Sequence, residues 1–280
     1  AKSVVVATGT QEIPSVFEKN DLPGIVLSSG LQRLIHLYGI NPGSSALITT
    51  STDSGYHTAI DLMNQGVRIT AIADSRANFP DHLQQAVDLQ SEGVLILTSH
   101  AASRAEGGRH VLGGVVARIV DGKLTTEERQ FDCDLLTMAG GYQPASWLLE
   151  QTGASLSYDD SIGERVPRQL PAGVFVTGEV TGDHDLNALL VHGRKSGIEA
   201  ASKALGKPIN SDHDQIRMSP MNDRPKVAHP PIGRENAARR FVCFCEDVTA
   251  KDIEQGIDEG FEDIQTLKRY STVTMGPCQG

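Results

Sequence analysis

Short apolar runs alternate with amphipathic segments through the first half of the chain. Residues 45–49 and 67–73 are apolar runs of strand length, and residues 54–65 between them repeat their apolar positions at helical spacing. An earlier segment, residues 31–38, also has its apolar side chains on one helical face. A strand, a helix and a strand in succession predict a β-α-β unit with parallel strands.

The same alternation continues as far as residue 139. Residues 79–92 have the pattern of a helix, and residues 94–98 have that of a strand. Residues 113–119 and 123–131 predict a hairpin across an Asp-Gly turn, and residues 135–139 predict one more strand. The whole region therefore has the pattern of a Rossmann-like α/β domain.

Two further predicted strands flank this domain in the sequence. The first covers residues 3–10 and the second ends at Thr177-Gly178, so each carries a Thr-Gly turn of the kind that lies against a dinucleotide. We therefore expect both strands to lie in one sheet. Helices are predicted at 146–151 and 187–205, whereas residues 158–166 are polar and carry no chemistry that we assign.

The turn after the strand at 45–49 is where a dinucleotide-binding fingerprint belongs. Counting back from Gly55, the two earlier glycine positions hold Thr50 and Thr52. A Cβ atom at these positions obstructs the approach of a pyrophosphate to the backbone. Asp74 ends the second strand, where an acid could bind a ribose, but a ribose contact without a phosphate site binds weakly. We therefore favour an architectural role for this unit over nucleotide binding.

Residues 241–280 contain three of the four cysteines. Cys243 and Cys245 form a Cys-x-Cys pair, and Cys278 follows in a Gly-Pro-Cys sequence. Two helical segments lie between them, the first with a capping-box pattern that begins at Thr249, and they can return the chain to the first pair. Thiolates gathered on loops suit zinc or an iron–sulfur cluster, and we prefer either to three unrelated buried thiols.

These cysteines and the residues around them resemble a known family. The Cys-x-Cys pair and the sequence 268–280 are similar to the [2Fe-2S]-binding segment in large subunits of multi-subunit flavin amine oxidoreductases. The resemblance is above all to the alpha subunit of heterotetrameric sarcosine oxidase, with subunits of opine oxidase, proline dehydrogenase and hydrogen cyanide synthase as relatives. In that family Gln-Gly and two more residues precede a fourth cysteine, so the fourth ligand is expected just beyond Gly280.

The resemblance implies an α/β architecture with the two-dinucleotide-binding (FAD/NAD(P)-binding, Rossmann-like) fold, its first domain incomplete, plus a small helical [2Fe-2S] module. It implies that residues 1–10 and 146–216 are remnants of the first dinucleotide-binding domain, and that residues 11–145 are an inserted Rossmann-like domain. Residues 217–240, rich in proline and basic side chains, are then a solvated linker. Residues 241–280 are the cluster module, truncated at its end.

The resemblance also implies which residues contact the nucleotide, FAD or NAD, in the first domain. Four of them lie in the two Thr-Gly turns and the position after the second, namely Thr8, Gly9, Gly178 and Glu179. The family has Gly-Asp where this chain has Gly-Glu, a departure that lengthens the acidic side chain by one methylene. Asp74 is the candidate in the inserted domain, although related subunits have a similarly degenerate loop there. Two nearby histidines, His184 and His192, have no mutual metal-ligand spacing and are expected to be loop and surface residues.

The function implied by the resemblance is that of a subunit of a flavin-dependent amine oxidoreductase, which acts on CH–NH donors and relays electrons through a [2Fe-2S] cluster. Its partners are the other subunits of a hetero-oligomer, and the substrate-oxidising site is expected on one of those. The alternative is a non-redox scaffold with a structural nucleotide and a zinc or empty cysteine site. The sequence shows no nucleophile–base pair and no convergent acid–base set, so we assign no catalytic residue.

Composition narrows the possible partners further. The net charge is −10 over 280 residues and no basic face dominates, so nucleic acid is not expected as a partner. No apolar run approaches the ~18 residues of a membrane span.

Four cysteines with one cluster fit a reducing cytoplasm, with Cys133 as a small core residue. The chain starts without Met or a signal peptide, directly before the apolar residues 4–6, and we interpret it as an internal fragment.

Overall fold

The structure is a computed structural model that describes residues 1–160, 163–209, 231, 233, 237 and 239–277. The chain divides into two compact units, and each unit is described below only for the residues named above. The first unit is Ala1–Glu12 with Tyr142–Val227, and the second unit is Ile13–Gly141 with Ala228–Gly280.

The described strands, in chain order, are β1 (Val4–Val6), β2 (Thr10–Glu12), β3 (Ile25–Leu27), β4 (Ser45–Thr50), β5 (Arg68–Asp74), β6 (Ile96–Thr98), β7 (His100–Gly107), β8 (Val111–Val120), β9 (Lys123–Asp132), β10 (Leu135–Ala139), β11 (Tyr142–Pro144), β12 (Ser155–Asp159), β13 (Glu164–Gln169), β14 (Val174–Val176), β15 (Phe241–Cys243) and β16 (Val248–Thr249). The helices are α1 (Ser28–Tyr38), α2 (Ser54–Asn64), α3 (Gln84–Ser91), α4 (Trp147–Gln151), α5 (Leu186–Leu205), α6 (Ala250–Asp258) and α7 (Ile264–Ser271), with a short 3-10 helix over Glu179–Thr181. In the part of the chain that the structure describes, no helix has both the length and the apolar composition to cross a bilayer.

A five-stranded parallel sheet forms the centre of the second unit, in the order β3-β10-β4-β5-β6. Every residue of β10 is buried, and so is every residue of β4 except the first. Continuous burial is what a parallel strand covered on both faces requires, and it explains why these strands appear in the sequence as unbroken apolar runs.

Two apolar clusters cover the two faces of this sheet. Because strand side chains alternate in direction, Leu47 enters one cluster and its neighbour Ile48 enters the other. The cluster of Ile48 packs the sheet against α1, α2 and α3, and that of Leu47 packs it against the antiparallel sheet β7-β8-β9. The second unit is therefore a three-layer α/β domain, as its alternating pattern predicts.

The first unit depends on a parallel pairing between strands far apart in sequence. Val4 lies opposite Val174 and Val6 opposite Val176, which confirms the prediction that these two strands share a sheet. Helix α5 packs on the pair through two serine hydroxyls: Ser196 Oγ donates to Val176 O at 3.0 Å, and Ser3 Oγ donates to Ala200 O at 2.9 Å.

Several boundaries differ from those predicted, each for a local reason. The predicted strand at 3–10 is two strands, because Gly9 adopts φ +70° and turns the chain before Thr10 begins β2. The predicted helix at 79–92 is helical only from Gln84, because the preceding residues form turns in which the Asp81 amide donates to Phe79 O and the Leu83 amide donates to Pro80 O.

Several described strands have no counterpart in the predictions, and β7, β12 and β13 are the longest of them. Strand β7 is rich in alanine and charged residues, which have weak strand propensity, but it pairs with β8 along its length. The hairpin β12–β13 occupies the polar stretch to which we assigned no chemistry, and it contains a buried acid, Glu164. Pairing with a neighbouring strand, rather than propensity, stabilises these segments.

The C-terminal helices fold back on each other as predicted. Thr249 Oγ1 accepts the Asp252 amide at 3.4 Å, and the Asp252 carboxylate accepts the Thr249 amide at 2.8 Å, which confirms the capping box. Gly256 in α6 allows α7 to approach closely, because a Cβ atom there would lie 2.7 Å from Leu267 Cδ1. Phe261 and Tyr270 stack with their ring centroids 4.5 Å apart.

This helical segment packs on the residues that precede β3. The Asn20 side chain pairs with the backbone of Phe241 like a neighbouring strand: its amide nitrogen donates to Phe241 O and its oxygen accepts the Phe241 amide, both at 2.9 Å. Arg240 is only 2% exposed and donates to Glu254 at 2.8 Å. Arg240, the last residue of the predicted solvated linker, is therefore buried, whereas Arg239 before it is exposed.

We expect Asn20→Ala to destabilise the attachment of β15. The substitution leaves a backbone N–H and a C=O of Phe241 without their partner, at a cost of about 1–3 kcal/mol. Urea denaturation with hydrogen exchange should show a lower stability and faster exchange of the Phe241 amide. Asn41→Ala is the matched control, because Asn41 is exposed and its two bonds are long, 3.4 Å to Gln65 O as donor and 3.2 Å from the Gly43 amide as acceptor. Equal stability of the two variants would contradict the role of Asn20.

Candidate functional site

The two strands of the first unit end in glycine turns at the same edge of their sheet, as parallel strands must. Gly9 adopts φ +70° and Gly178 φ +86°, conformations that side chains disfavour. At both positions a Cβ atom would meet no described atom within 4 Å. Thr8 Oγ1 fixes the first turn by donating to Ala145 O at 2.6 Å. The edge therefore presents open backbone, which a ligand can approach closely.

Glu179 follows the second turn and lies at this edge. One of its carboxylate oxygens, Oε2, accepts a hydrogen bond from Thr10 Oγ1 at 2.8 Å. The side chain is 43% exposed, so it can also accept hydrogen bonds from a ligand hydroxyl. Four of the five residues predicted to contact a nucleotide, Thr8, Gly9, Gly178 and Glu179, are thus in the two turns of one sheet edge. Thr10 was not among the predicted residues.

A second carboxylate lies close by, on β13. Glu164 has a side chain that is only 4% exposed, and its Oε1 is 3.2 Å from His184 Nε2. The other ring nitrogen, Nδ1, is 3.8 Å from Glu179 Oε1. The hydrogen bond to Glu164 raises the pKa of His184 above its ordinary value, and the charges of Glu164 and Glu179 add to it while burial opposes them. His184 lies in a loop as expected, but it bridges two acids.

Helix α5 begins immediately after this loop. The Asp185 side chain caps it by accepting the Ala188 amide at 2.8 Å, and Asp183 lies 3.7 Å from His192 Nδ1. His192 therefore belongs to a polar contact with a carboxylate, as His184 does. The partial positive charge at the start of this 20-residue helix favours anionic groups there.

The candidate fingerprint of the second unit is closed by one of its own side chains. Thr50 Oγ1 donates to Thr52 O at 2.7 Å and accepts the Thr52 amide at 3.1 Å, so the Thr50 side chain occupies the inside of the turn. A Cβ atom on Gly55 would lie 2.5 Å from Thr50 Cβ, which is why that third glycine position remains a glycine. The turn accommodates a threonine where a pyrophosphate would need backbone.

Asp74, the fifth predicted nucleotide contact, is fully buried and already occupied. Its carboxylate accepts bonds from Tyr56 Oη and from Arg76 Nη2, both at 2.8 Å, and Arg76 also pairs with Asp53 at 2.7 Å. Burial and the Asp74 charge raise the pKa of Tyr56, so it remains a donor. Burial would lower the pKa of Arg76, but hydrogen bonds to Asp74 and Asp53 outweigh burial and raise it. The Asp74 carboxylate is therefore bound by side chains of the protein, and it does not face a ligand.

The Cys-x-Cys pair lies at the end of β15, with Cys243 buried and Cys245 exposed. Cys278 lies outside the described residues. The chain nevertheless returns to the pair, because a Cβ atom on Gly276 would lie 2.5 Å from Cys245 Cβ. No group of three histidine, cysteine or acidic side chains suited to a metal occurs among residues with a described position. Cys133 is 3% exposed, and burial raises its pKa to about 11, which confirms it as a core thiol.

Comparison with known proteins extends the resemblance to the whole chain. Residues 237–280 match the Sarcosine oxidase A3 domain family. The chain is 30% identical over 285 residues to the sarcosine oxidase subunit alpha of Corynebacterium sp. (strain U-96), a match that covers 100% of this chain and 29% of that subunit. The predicted resemblance is therefore confirmed, although the chain spans less than a third of the relative's length.

Solved structures confirm the fold class. The L-proline dehydrogenase of P. horikoshii superimposes with a TM-score of 0.63 at 19% identity, over 100% of this chain and 50% of that one. The thioredoxin reductase of T. acidophilum superimposes with a TM-score of 0.58 at 16% identity, over 73% of this chain and 66% of that one. At these identities the similarity concerns the fold alone, a mixed α/β fold of the dinucleotide-binding oxidoreductases.

We expect the second unit to bind no NAD(P) with useful affinity, since Thr50 fills its turn and Asp74 is held by Tyr56 and Arg76. Calorimetric titration of the segment 13–141 with NADH and NADPH, after circular dichroism shows it folded, tests this expectation. Micromolar binding there would show that the closed fingerprint opens for a ligand.

Proposed function

We propose, from its homology to sarcosine oxidase alpha subunits, that this chain is part of a subunit of a multi-subunit flavin-dependent amine oxidoreductase. In this proposal the first unit binds a dinucleotide, FAD or NAD, and Cys243, Cys245 and Cys278 hold a [2Fe-2S] cluster that relays electrons. The substrates are CH–NH donors such as sarcosine, oxidised at a site on a partner subunit. The proposed compartment is the cytoplasm.

The observation that carries the cluster proposal is the contact between Gly276 and Cys245. Any side chain at 276 would collide with Cys245 Cβ, so the backbone at Gly276 passes close to the Cys-x-Cys pair. Cys278 follows two residues later in the sequence. Three thiolates on loops, completed by the fourth cysteine that the resemblance places beyond Gly280, are the ligand set of a [2Fe-2S] cluster.

The nucleotide proposal rests on the edge of the first unit. Gly9 and Gly178 leave backbone open there, and Glu179 offers a carboxylate fixed on one side by Thr10. Sugar hydroxyls are donors that such an acceptor can bind. A bound flavin would supply the capacity to exchange electrons. The chain's own residues would orient the dinucleotide, and the partial positive charge at the start of α5 would stabilise its anionic phosphates.

We also propose the domain assignment that follows from these roles. Residues 1–10 and 146–216 belong to the dinucleotide-binding domain, residues 11–145 form an inserted domain without a nucleotide, and residues 217–240 connect it to the cluster module of residues 241–280. The buried Arg240 and the bonds of Asn20 to Phe241 indicate that the described start of the module packs on residues of the second unit.

A second candidate function is a non-redox scaffold with a zinc-bound cysteine site. Zinc accepts four thiolates in a similar loop geometry, so the contact of Gly276 with Cys245 supports it equally. Only the resemblance to cluster-binding subunits favours iron.

The identity of the metal separates the two candidates. In the full-length protein, purified anaerobically and reduced with dithionite, we expect a rhombic electron paramagnetic resonance signal and two iron atoms per chain, about the ratio of a [2Fe-2S] cluster. Cys243→Ser should abolish the signal, because serine does not replace a thiolate ligand well. Cys133→Ala is the matched control and should keep the signal, since Cys133 lies in the core of the second unit.

Stoichiometric zinc without iron would contradict the electron-relay proposal and leave the scaffold. A signal that survives in Cys243→Ser would show that the cluster is held elsewhere.

A further inference from the structure

Glu164, His184, Glu179 and Thr10 form a continuous polar chain in the first unit, which we name the His184 clamp. Thr10 Oγ1 donates to Glu179 Oε2 at 2.8 Å, and Glu179 Oε1 is 3.8 Å from His184 Nδ1. His184 Nε2 is then 3.2 Å from Glu164 Oε1. These side chains come from β2, from β13, from the 3-10 helix and from the loop before α5, so the clamp connects four segments of the unit.

The imidazole of His184 has an acceptor on each side. A neutral imidazole donates from one nitrogen only and presents a lone pair at the other, which would face a carboxylate. The imidazolium donates from both nitrogens and carries the positive charge that two carboxylates favour. The geometry of the clamp is therefore complete only when His184 is protonated.

Glu164 is the buried end of this arrangement. Its side chain is 4% exposed, and its Oε2 has no hydrogen-bond donor within the described part of the chain. A buried carboxylate is costly unless a cation compensates it. His184 Nε2 lies 3.2 Å from Glu164, so the imidazolium compensates the buried charge and Glu164 in turn stabilises the protonated form of His184.

Three other charged groups on the elements around the clamp have partners of their own. Arg165 pairs with Glu150 at 3.6 Å and Asp183 with His192 at 3.7 Å, while Asp185 caps α5. The leading causes that raise the pKa of His184 are its hydrogen bond with Glu164 and the charges of Glu164 and Glu179, and burial opposes them. The protonation of His184 is thus set within the clamp.

We infer that Glu164 and His184 are positioning residues that hold the Glu179 carboxylate for the dinucleotide in a proton-dependent way. This inference rests on the proposed nucleotide site of the first unit. Protonated His184 attracts one oxygen of Glu179 as an ion pair at 3.8 Å, and Thr10 donates to the other at 2.8 Å, so the carboxylate is oriented before the ligand arrives. When His184 loses its proton, its lone pair faces one of the two acids and the orientation is lost.

The sign of the pH dependence follows from the raised pKa. His184 keeps its proton to a higher pH than an ordinary histidine, so the clamp is intact below that raised pKa and opens as the pH rises through it. Both His184 and Glu179 are about two-fifths exposed, and a half-exposed ion pair is weak. We therefore expect the dissociation constant of the dinucleotide to rise by about twofold to fivefold from pH 6 to pH 9.

The first measurement follows the His184 ring directly by nuclear magnetic resonance, assigned with His184→Gln. The wild-type imidazole should titrate above the ordinary value of about 6.5, and Glu164→Gln should return it towards that value. Glu150→Gln is the matched control, because it removes a carboxylate of the same unit that pairs with Arg165 and not with His184. An unshifted His184 in the wild type, or the same shift in Glu164→Gln, overturns the inference.

The second measurement is the affinity for NAD⁺ and for FAD, by calorimetry on the full-length protein at pH 6, 7.5 and 9. The affinity of the wild type should fall with pH, and that of His184→Gln should be flat at the weaker level. Identical pH profiles in the two proteins overturn the coupling of the clamp to the ligand. If neither nucleotide binds the wild type, the proposed function fails, whereas the imidazole titration still decides whether the clamp exists.

Discussion

The parallel pairing of β1 with β14 is the constraint on which the arrangement of the first unit depends. Parallel strands cannot be joined by a tight turn, so the chain that leaves Val6 must make a crossover before it returns at Val174. Here the crossover includes the whole α/β domain of the second unit. The entropic cost of closing a loop grows only slowly with its length, so a folded domain is tolerated in this position. The pairing also brings the Gly9 and Gly178 turns to the same edge.

The domain within this crossover has the architecture of a nucleotide-binding unit without its open turn. In β4 and α2 the fold is intact, down to the close packing of Gly55 against Thr50. Thr50 and the network of Asp74, Tyr56 and Arg76 replace the interactions that a ligand would make. An ion pair of this kind is costly to break from one side, because the remaining charge is left buried. The site is therefore stable in its closed form.

Much of this fold follows from the sequence, and the elements that do not follow from it depend on contacts between distant residues. Strand β10 was predicted with its observed bounds because it is apolar throughout and buried on both faces. Strand β7 and the β12–β13 hairpin were missed because their residues have weak strand propensity and depend on pairing with a neighbour. The partnership of Glu164 and His184 was missed for the same reason, since the hairpin that carries Glu164 was not predicted. The Cys-x-Cys pair and the two helices behind it were recognised from spacing alone. The fifth predicted nucleotide contact, Asp74, was found from its position at the end of a strand, a position that does not disclose its buried partners.

In the proposed function the first unit, and not the α/β domain inserted in it, holds the dinucleotide. Hydrogen–deuterium exchange of the full-length protein with and without NAD⁺ or FAD compares the two sites in one experiment. We expect slower exchange in peptides that contain the Gly9 turn and residues 178–185, and unchanged exchange around residues 50–56 and 74–76. Protection at residues 50–56 and 74–76 without protection at 178–185 would contradict it.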